Sequence, residues 1–155
     1  MQDFLMKLLP LTAQGYCCSQ LLMLLLLEAQ GRENAALVRA MQGLCHGIGQ
    51  SNASCGLLTG GAAVLACVAG KGAAAETPHP MLEPLLNDYA LWFYDQCGAF
   101  GGHTCEAVMT GLSIQAGKPL PASGRADLSL CGVMLGRCWE KILELADAYD
   151  IDLTA

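Results

Sequence analysis

Apolar residues recur along this chain with helical spacing, and no window alternates over two periods of a strand. The most apolar block is residues 51–70, SNASCGLLTGGAAVLACVAG. A polar turn, Ser51-Asn52-Ala53-Ser54, leads into Cys55. Behind it comes a segment built almost wholly from Gly, Ala, Leu, Val, Thr and Cys. No Asp, Glu, Lys or Arg occurs between Arg39 and Lys71. A helix that is apolar on every side is one surrounded by other helices. The stretch 55–70 is therefore expected at the centre of a bundle.

The remaining pattern supplies its neighbours. Residues 2–9 predict a short amphipathic helix that stops near Pro10. Residues 13–30 predict a strong helix, with Gly31 as its stop. Asn34 can cap a helix over 35–46, and 46–54 (HGIGQSNAS) is a Gly-rich connection that delivers Cys55. Lys71–Pro80 reads as a linker. A helix follows from about Pro80 to Ala99, starting at Pro84 if that proline occupies a first turn. FGGHTC at 100–105 is a turn in which Thr104 caps a short helix from Cys105 to Gly111. Residues 112–126, with Gly117, Pro119, Pro121 and Gly124, form a loop. The last helix, 127–149, begins at Asp127 or Ser129 and sets Cys131, Leu135, Cys138, Ile142 and Leu145 on one face. The expected fold is all-α: one domain over 1–155, with about five main helices around the small-residue helix 55–70.

Composition narrows the function. Hydrophobic residues make up 54% of the chain and charged ones 14%, against a usual apolar share of roughly 45–50%. That excess calls for deep burial, an oligomer or a membrane contact. The run from Lys7 to Glu28 carries no charge, but Pro10, Thr12, Gln14, Gly15 and Gln20 interrupt it, so no membrane span is expected. A net charge of -6 without a basic run argues against a nucleic-acid partner. Asp3, Lys7 and Pro10 do not fit an export signal. A cytoplasmic location is expected, where thiols stay reduced and a cysteine set serves metal binding or catalysis.

Nine cysteines are the outlier. None falls in a CxxC, CxxCH or zinc-finger spacing, so a site would be assembled from distant segments. Its candidates are Cys18, Cys55, Cys105 and Cys138, with Cys131 in reserve for the last. Three of them follow a turn and open a helix, where unpaired N–H groups and the helix dipole favour thiolate. Four thiolates suit Zn²⁺ or an iron–sulfur cluster, and an apolar shell poor in charge favours the cluster. Free cysteine is also a common core filler. That is the expectation for Cys67, buried within its helix, and the commoner role for Cys17, Cys45, Cys97 and Cys131. His46 and His103 sit in Gly-rich turns and fit turn residues, or donors beside the ligands, better than ligands. Gly60-Gly61 fits close helix packing; no phosphate loop and no Ser/His/Asp set is present.

Four segments carry a family resemblance. Gly15-Tyr16-Cys17-Cys18-Ser19-Gln20 resembles the opening G-Y-x-C-[AS]-[QE] of the C-GCAxxG-C-C family, redox-active proteins of anaerobic bacteria and archaea. Ser54-Cys55-Gly56-Leu57-Leu58-Thr59-Gly60-Gly61 resembles its G-x-C-G-A-x-x-G-G stretch. Phe100–Gly111 resembles its F-G-x-x-x-C-R-E-L-x-G, with Glu106 where Arg is usual. Cys138 and the helix behind it resemble its final motif. The resemblance spans about residues 15–148 and implies a helical domain that brings four cysteines to one redox site. A related domain stands beside haem in the split-Soret cytochromes, where an iron–sulfur centre is associated with it.

The combined expectation is a redox protein whose Cys18, Cys55, Cys105 and Cys138 hold one iron–sulfur cluster, [2Fe–2S] ahead of [4Fe–4S]. It would act as an electron-transfer protein or redox accessory subunit rather than a stand-alone enzyme, as a homodimer with an electron-partner protein. The alternatives are a thiol–disulfide redox protein or sensor without metal, and a structural zinc module.

Overall fold

The structure is a computed structural model and describes residues 2–123 and 128–155. The expected loop residue Gly124 and helix start Asp127 lie outside them. Seven right-handed α-helices occur among the described residues: α1 (Gln2–Ala13), α2 (Cys18–Ala29), α3 (Ala35–Met41), α4 (Gly56–Ala69), α5 (Leu82–Gln96), α6 (Cys105–Ala116) and α7 (Leu128–Ala148), with a 3-10 turn at Gln42–Leu44. No strand is present among those residues beyond one isolated bridge, Ser54 to Thr104. The fold is an all-α bundle.

α4 is its centre, packed against α2, α5 and α7. Its glycines set how close those neighbours come. A Cβ on Gly60 would lie 2.7 Å from the Ser19 Cβ of α2. A Cβ on Gly61 would collide with the Tyr89 ring of α5. Leu57, Val64 and Leu65 of α4 are fully buried against Leu22, Leu26, Leu85, Phe93 and Leu135. Cys67 differs from expectation. It is exposed, because the helix leaves one strip of its surface uncovered.

The helix ends follow local chemistry. Asn34 caps α3, its side chain accepting from Leu37 N at 3.0 Å. Gly31 (φ 61°) ends α2 in the left-handed region, where glycine carries no Cβ penalty. Pro84 stands in the first turn of α5, where its missing N–H removes no helical bond. Two ends depart from the sequence pattern. α1 runs through Pro10 to Ala13. Fully buried Leu8, packing on α7 and the Lys7–Glu28 ion pair at 2.7 Å offset a lost bond that costs about 3 kcal/mol. α6 continues past Gly111 to Ala116, because buried Leu112 extends its apolar face and Gly117 (φ 62°) supplies the stop.

Two polar residues of α2 fix its partner. Ser19 Oγ donates to Met41 O at 2.8 Å, and Gln20 Nε2 donates to Val38 O at 3.1 Å. Both side chains are buried, and both hold α3 by its C-terminal carbonyls. No single described helix is long and apolar enough to cross a membrane; α1 and α2, apolar enough together, meet at 114°.

Candidate functional site

Three cysteines stand where helices begin. Cys18 is the first residue of α2, behind Cys17 at the N-cap. Cys55 is itself the N-cap of α4. Cys105 is the first residue of α6, behind Thr104, whose hydroxyl accepts from Ala107 N at 3.3 Å. The loops that deliver Cys55 and Cys105 are pinned to each other. Cys55 N donates to His103 O at 2.8 Å, and Cys105 N donates to Ala53 O at 3.1 Å. Glu106 N donates to Asn52 Oδ1 at 3.0 Å, so the loop before α4 also caps α6.

Glycine admits the third segment. A Cβ on Gly56 would lie 2.8 Å from Cys18 Sγ, so the absence of one lets that sulfur reach the first turn of α4. A Cβ on Gly47 would lie 3.1 Å from the Cβ of Cys105 and 2.7 Å from Ala53 O. The fold thus brings Cys18, Cys55 and Cys105 together from three segments. Cys131 joins them from α7: it and Cys18 line one small cavity of about 30 Å³ with Leu21 and Leu135. Cys138 lies two turns further along the same helix face, roughly 10 Å by helical rise. It is fully buried, and its sulfur lies beside the Tyr89 hydroxyl, whose one proton goes to Leu57 O at 2.8 Å.

Burial dominates the electrostatics. Backbone N–H groups of His46, Ser19 and Cys18 itself donate toward the Cys18 sulfur and favour its thiolate. Loss of water still pushes the Cys18 thiol up to about 11. Burial first, then the charge of Cys18, raises Cys55 well above its usual range, against one N–H from Leu57; Cys131 and Cys105 add to the rise. Burial also raises Cys105. It lifts Cys97 to about 11 and Cys138 to about 12, the latter against the neighbouring Tyr89 hydroxyl. A helix dipole supplies about 0.3–1 kcal/mol, less than one pKa unit, so at these helix starts it loses to desolvation. Without a metal, burial favours the neutral thiol at Cys18, Cys55, Cys105 and Cys138.

Cys17 and Cys45 are joined in a disulfide, with Cα atoms 6.1 Å apart. They are not the separate core fillers that their neighbours suggest. The connection 46–54 is also no ordinary loop. His46, Gly47, Ile48, Gly49 and Gln50 all have φ between 56° and 75°, making one left-handed turn. Three of them carry side chains, at roughly 1–2 kcal/mol each. Gly49 N donates to Cys45 O at 3.2 Å and Ser51 Oγ donates to Gly47 O at 2.8 Å within the turn. A cross-link closing 28 residues contributes about 3.5 kcal/mol on a chain-entropy reckoning, a size comparable to the strain it bounds.

The two histidines take the places of turn residues. The His46 backbone N–H serves Cys18. The His103 ring rests on Tyr94, with centroids 4.9 Å apart, and its Nδ1 lies 3.4 Å from Ser54 Oγ. Sequence reasoning missed Tyr89. A buried phenol opposite a Gly-Gly pair on the next helix is the signal that marks it. The left-handed run had a weaker signal, Gly47 and Gly49 alternating with residues that ordinarily avoid positive φ.

Among the described residues, no three His, Cys, Asp or Glu side chains are grouped as ligands of one metal ion. A single tetrahedral zinc at about 2.3 Å from each sulfur needs such a group. An iron–sulfur cluster is several atoms wide and takes its thiolates from further apart. The donor set fits that second case in its chemistry: thiols alone, backbone N–H groups aimed at sulfur, and a glycine in place of a side chain at Cys18.

No curated protein and no solved structure matches this chain. The sequence model of one family, described as "Putative redox-active protein (C_GCAxxG_C_C)", matches residues 16–145. That span runs from the Cys18 segment through Cys138, and includes every cysteine described above. The chain therefore belongs to the C_GCAxxG_C_C family of redox-active proteins.

Proposed function

We propose that this protein transfers electrons through an iron–sulfur cluster held by Cys18, Cys55 and Cys105, with Cys138 as the fourth ligand and Cys131 as the alternative. The observation that carries the reading is the meeting of three helix starts, each with a cysteine, around the space that Gly56 leaves open at Cys18 Sγ. When bound, such a cluster supplies one-electron chemistry, [2Fe–2S] ahead of [4Fe–4S]. The chain's own residues do the rest. Backbone N–H groups at Cys18 and Cys55 stabilise negative charge on sulfur. Buried Leu21, Leu57 and Leu135 give the site an apolar surround, in which Cys55 and Cys105 are buried and Cys18 is partly exposed. The clamp between residues 52–55 and 103–106 holds Cys55 and Cys105 at fixed separation.

The same reading gives an electron-transfer partner or accessory subunit rather than a stand-alone enzyme. It is cytoplasmic, homodimeric, and served by a partner protein. Anaerobic reconstitution with ferrous iron and sulfide should give a coloured protein with iron and inorganic sulfide in stoichiometric amounts. Cys55→Ser should bleach it. A colourless protein after reconstitution rejects the cluster, and zinc bound at one per chain supports the structural-zinc alternative. Light scattering in solution checks the dimer.

A further inference from the structure

The mapped ligand set uses neither Cys17 nor Cys45, yet their bond touches it on both sides. Cys17 precedes Cys18 directly. Cys45 precedes His46, whose backbone N–H reaches the Cys18 sulfur. An open cleft of about 440 Å³ lies over the bond, lined by both cysteines with Gly15, Gln42, His46 and Gly49. Cys17 is partly exposed in it, whereas Cys45 is buried with its sulfur 2.8 Å from Ser19 Oγ. Access therefore differs at the two sulfurs, and the accessible one faces a cleft large enough for an incoming side chain.

We propose that Cys17–Cys45 is a second redox site, a disulfide that exchanges with a dithiol reductant and sets the exposure of Cys18. A thiolate of the reductant attacks Cys17 Sγ. The Cys17–Cys45 bond breaks, a mixed disulfide forms, and Cys45 leaves as a thiolate that takes up a proton. The reductant's second thiol then closes its own disulfide, and Cys17 leaves and is protonated. Two electrons and two protons pass from the dithiol to the pair, and no other reactant is needed. Ser19 Oγ, whose proton goes to Met41 O, lies 2.8 Å from the Cys45 sulfur and can accept from its thiol once that is protonated.

Reduction has a structural consequence. The left-handed turn 46–50 is anchored on one side by Gly47, wedged against Ala53 and Cys105, and on the other by the bond from Cys45 to the start of α2. Exposed Ile48 (55% accessible) contributes no packing to hold it. Once the bond opens, His46, Ile48 and Gln50 relax toward ordinary backbone angles. The His46 N–H leaves Cys18, and that sulfur, partly exposed already, opens further to water. This inference does not rest on the iron–sulfur reading, since it concerns a disulfide and a thiol present in metal-free protein.

The test uses the full chain, unreduced, with a chelator present. Exposed Cys67 is first blocked with unlabelled maleimide. Dithiothreitol is then added, followed by isotope-labelled maleimide, and the labels are mapped by mass spectrometry. Heavy label should appear on Cys17 and Cys45, and Cys18 should label at least tenfold faster than in unreduced protein. Fully buried Cys138 should stay unlabelled, which separates local opening from unfolding. Cys17→Ser and, separately, Cys45→Ala should show the fast Cys18 rate without dithiothreitol. Unlabelled maleimide on Cys17 and Cys45 before reduction overturns the proposal, because no bond then exists. So does a bond that resists dithiothreitol until Cys138 labels too. A Cys18 rate that changes less than twofold on reduction overturns the coupling.

Discussion

Cys18, Cys55 and Cys105 stand where helices begin, and Cys138 stands well inside α7. The two settings offer sulfur different partners. At a helix start the first backbone N–H groups have no helical acceptor and can turn to a thiolate; three do so at Cys18 and one at Cys55. Around Cys138, well inside α7, the N–H groups are used by the helix itself, so its sulfur has one side chain as a partner, the Tyr89 hydroxyl. Burial outweighs these donors in both settings: the Cys18 thiol is pushed up to about 11 and Cys55 well above its usual range, as Cys138 is to about 12. The starts are built to stabilise charge and the helix interior to exclude water. A thiolate cluster needs both.

The largest expected effect is on the pH dependence of the metal-free protein. The Cys138 thiol sits near 12 in the fold and near 9.0 in the unfolded chain. Below pH 9 both states keep the proton and this group contributes nothing. Between pH 9 and 12 the unfolded chain loses a proton that the folded chain retains, so stability falls as pH rises. Three units correspond to about 4 kcal/mol in the limit. Denaturant unfolding at pH 8 and pH 10.5 should show a steep loss, and Cys138→Ala should lessen it, the remainder coming from the raised thiols of Cys18, Cys55, Cys97 and Cys105. An unchanged slope in that variant would mean that the α7 thiol is not the more deeply buried of the two classes.

Gly61→Ala comes next. A Cβ there runs into the Tyr89 ring, and helix backbones on both sides prevent easy relief. Overpacking of this kind costs about 3 kcal/mol, read as a lower urea midpoint. Displacing Tyr89 also takes its hydroxyl from Leu57 O and Cys138. The variant should therefore disturb Cys138 and leave the helix-start thiols as they are. Equal changes in the labelling of Cys138 and Cys105 would erase the distinction.

Tyr89→Phe isolates the same hydroxyl without the collision. It should cost about 1 kcal/mol, the net worth of a buried hydrogen bond to a carbonyl that keeps its helical partner. It should also push the Cys138 thiol further up, since Tyr89 is the group that lowers it. Ultraviolet thiolate titration against Cys138→Ala measures the shift.

The two regions were not equally legible in the sequence. The α4 core announces itself through its composition, since only a surrounded helix can lack charge over so long a stretch. Gly60 and Gly61 read correctly as packing positions for the same reason. Cys18, Cys55 and Cys105 were legible as helix starts because turn and cap residues precede them. The disulfide was not legible, because 28 residues separate Cys17 from Cys45 and no local spacing marks the pair. Nor was the left-handed turn. His46, Ile48 and Gln50 each disfavour it, and only the contacts of Gly47 and the bond at Cys45 override them. Local propensity reaches as far as a helix cap. What the chain does against propensity depends on partners far away in sequence.

The smallest effect tests the clamp that joins two of the helix starts. Thr104→Ala removes the N-cap of α6, and Asn52→Ala removes the bond to Glu106 N from the neighbouring loop. Each should cost about 1 kcal/mol, the usual worth of a cap. They serve adjacent donors at one helix start, so their effects should not add. With either one present, the bonds from Cys55 N to His103 O and from Cys105 N to Ala53 O still hold the loops together. With both absent, the first turn of α6 frays and Cys105 is freed to move. The double variant should therefore lose more than about 2 kcal/mol, and Cys105 should label with maleimide faster than in either single variant, with Cys138 unchanged. Additive losses with Cys105 still protected would show that the bridge between Ser54 and Thr104 alone fixes the spacing of the two thiols.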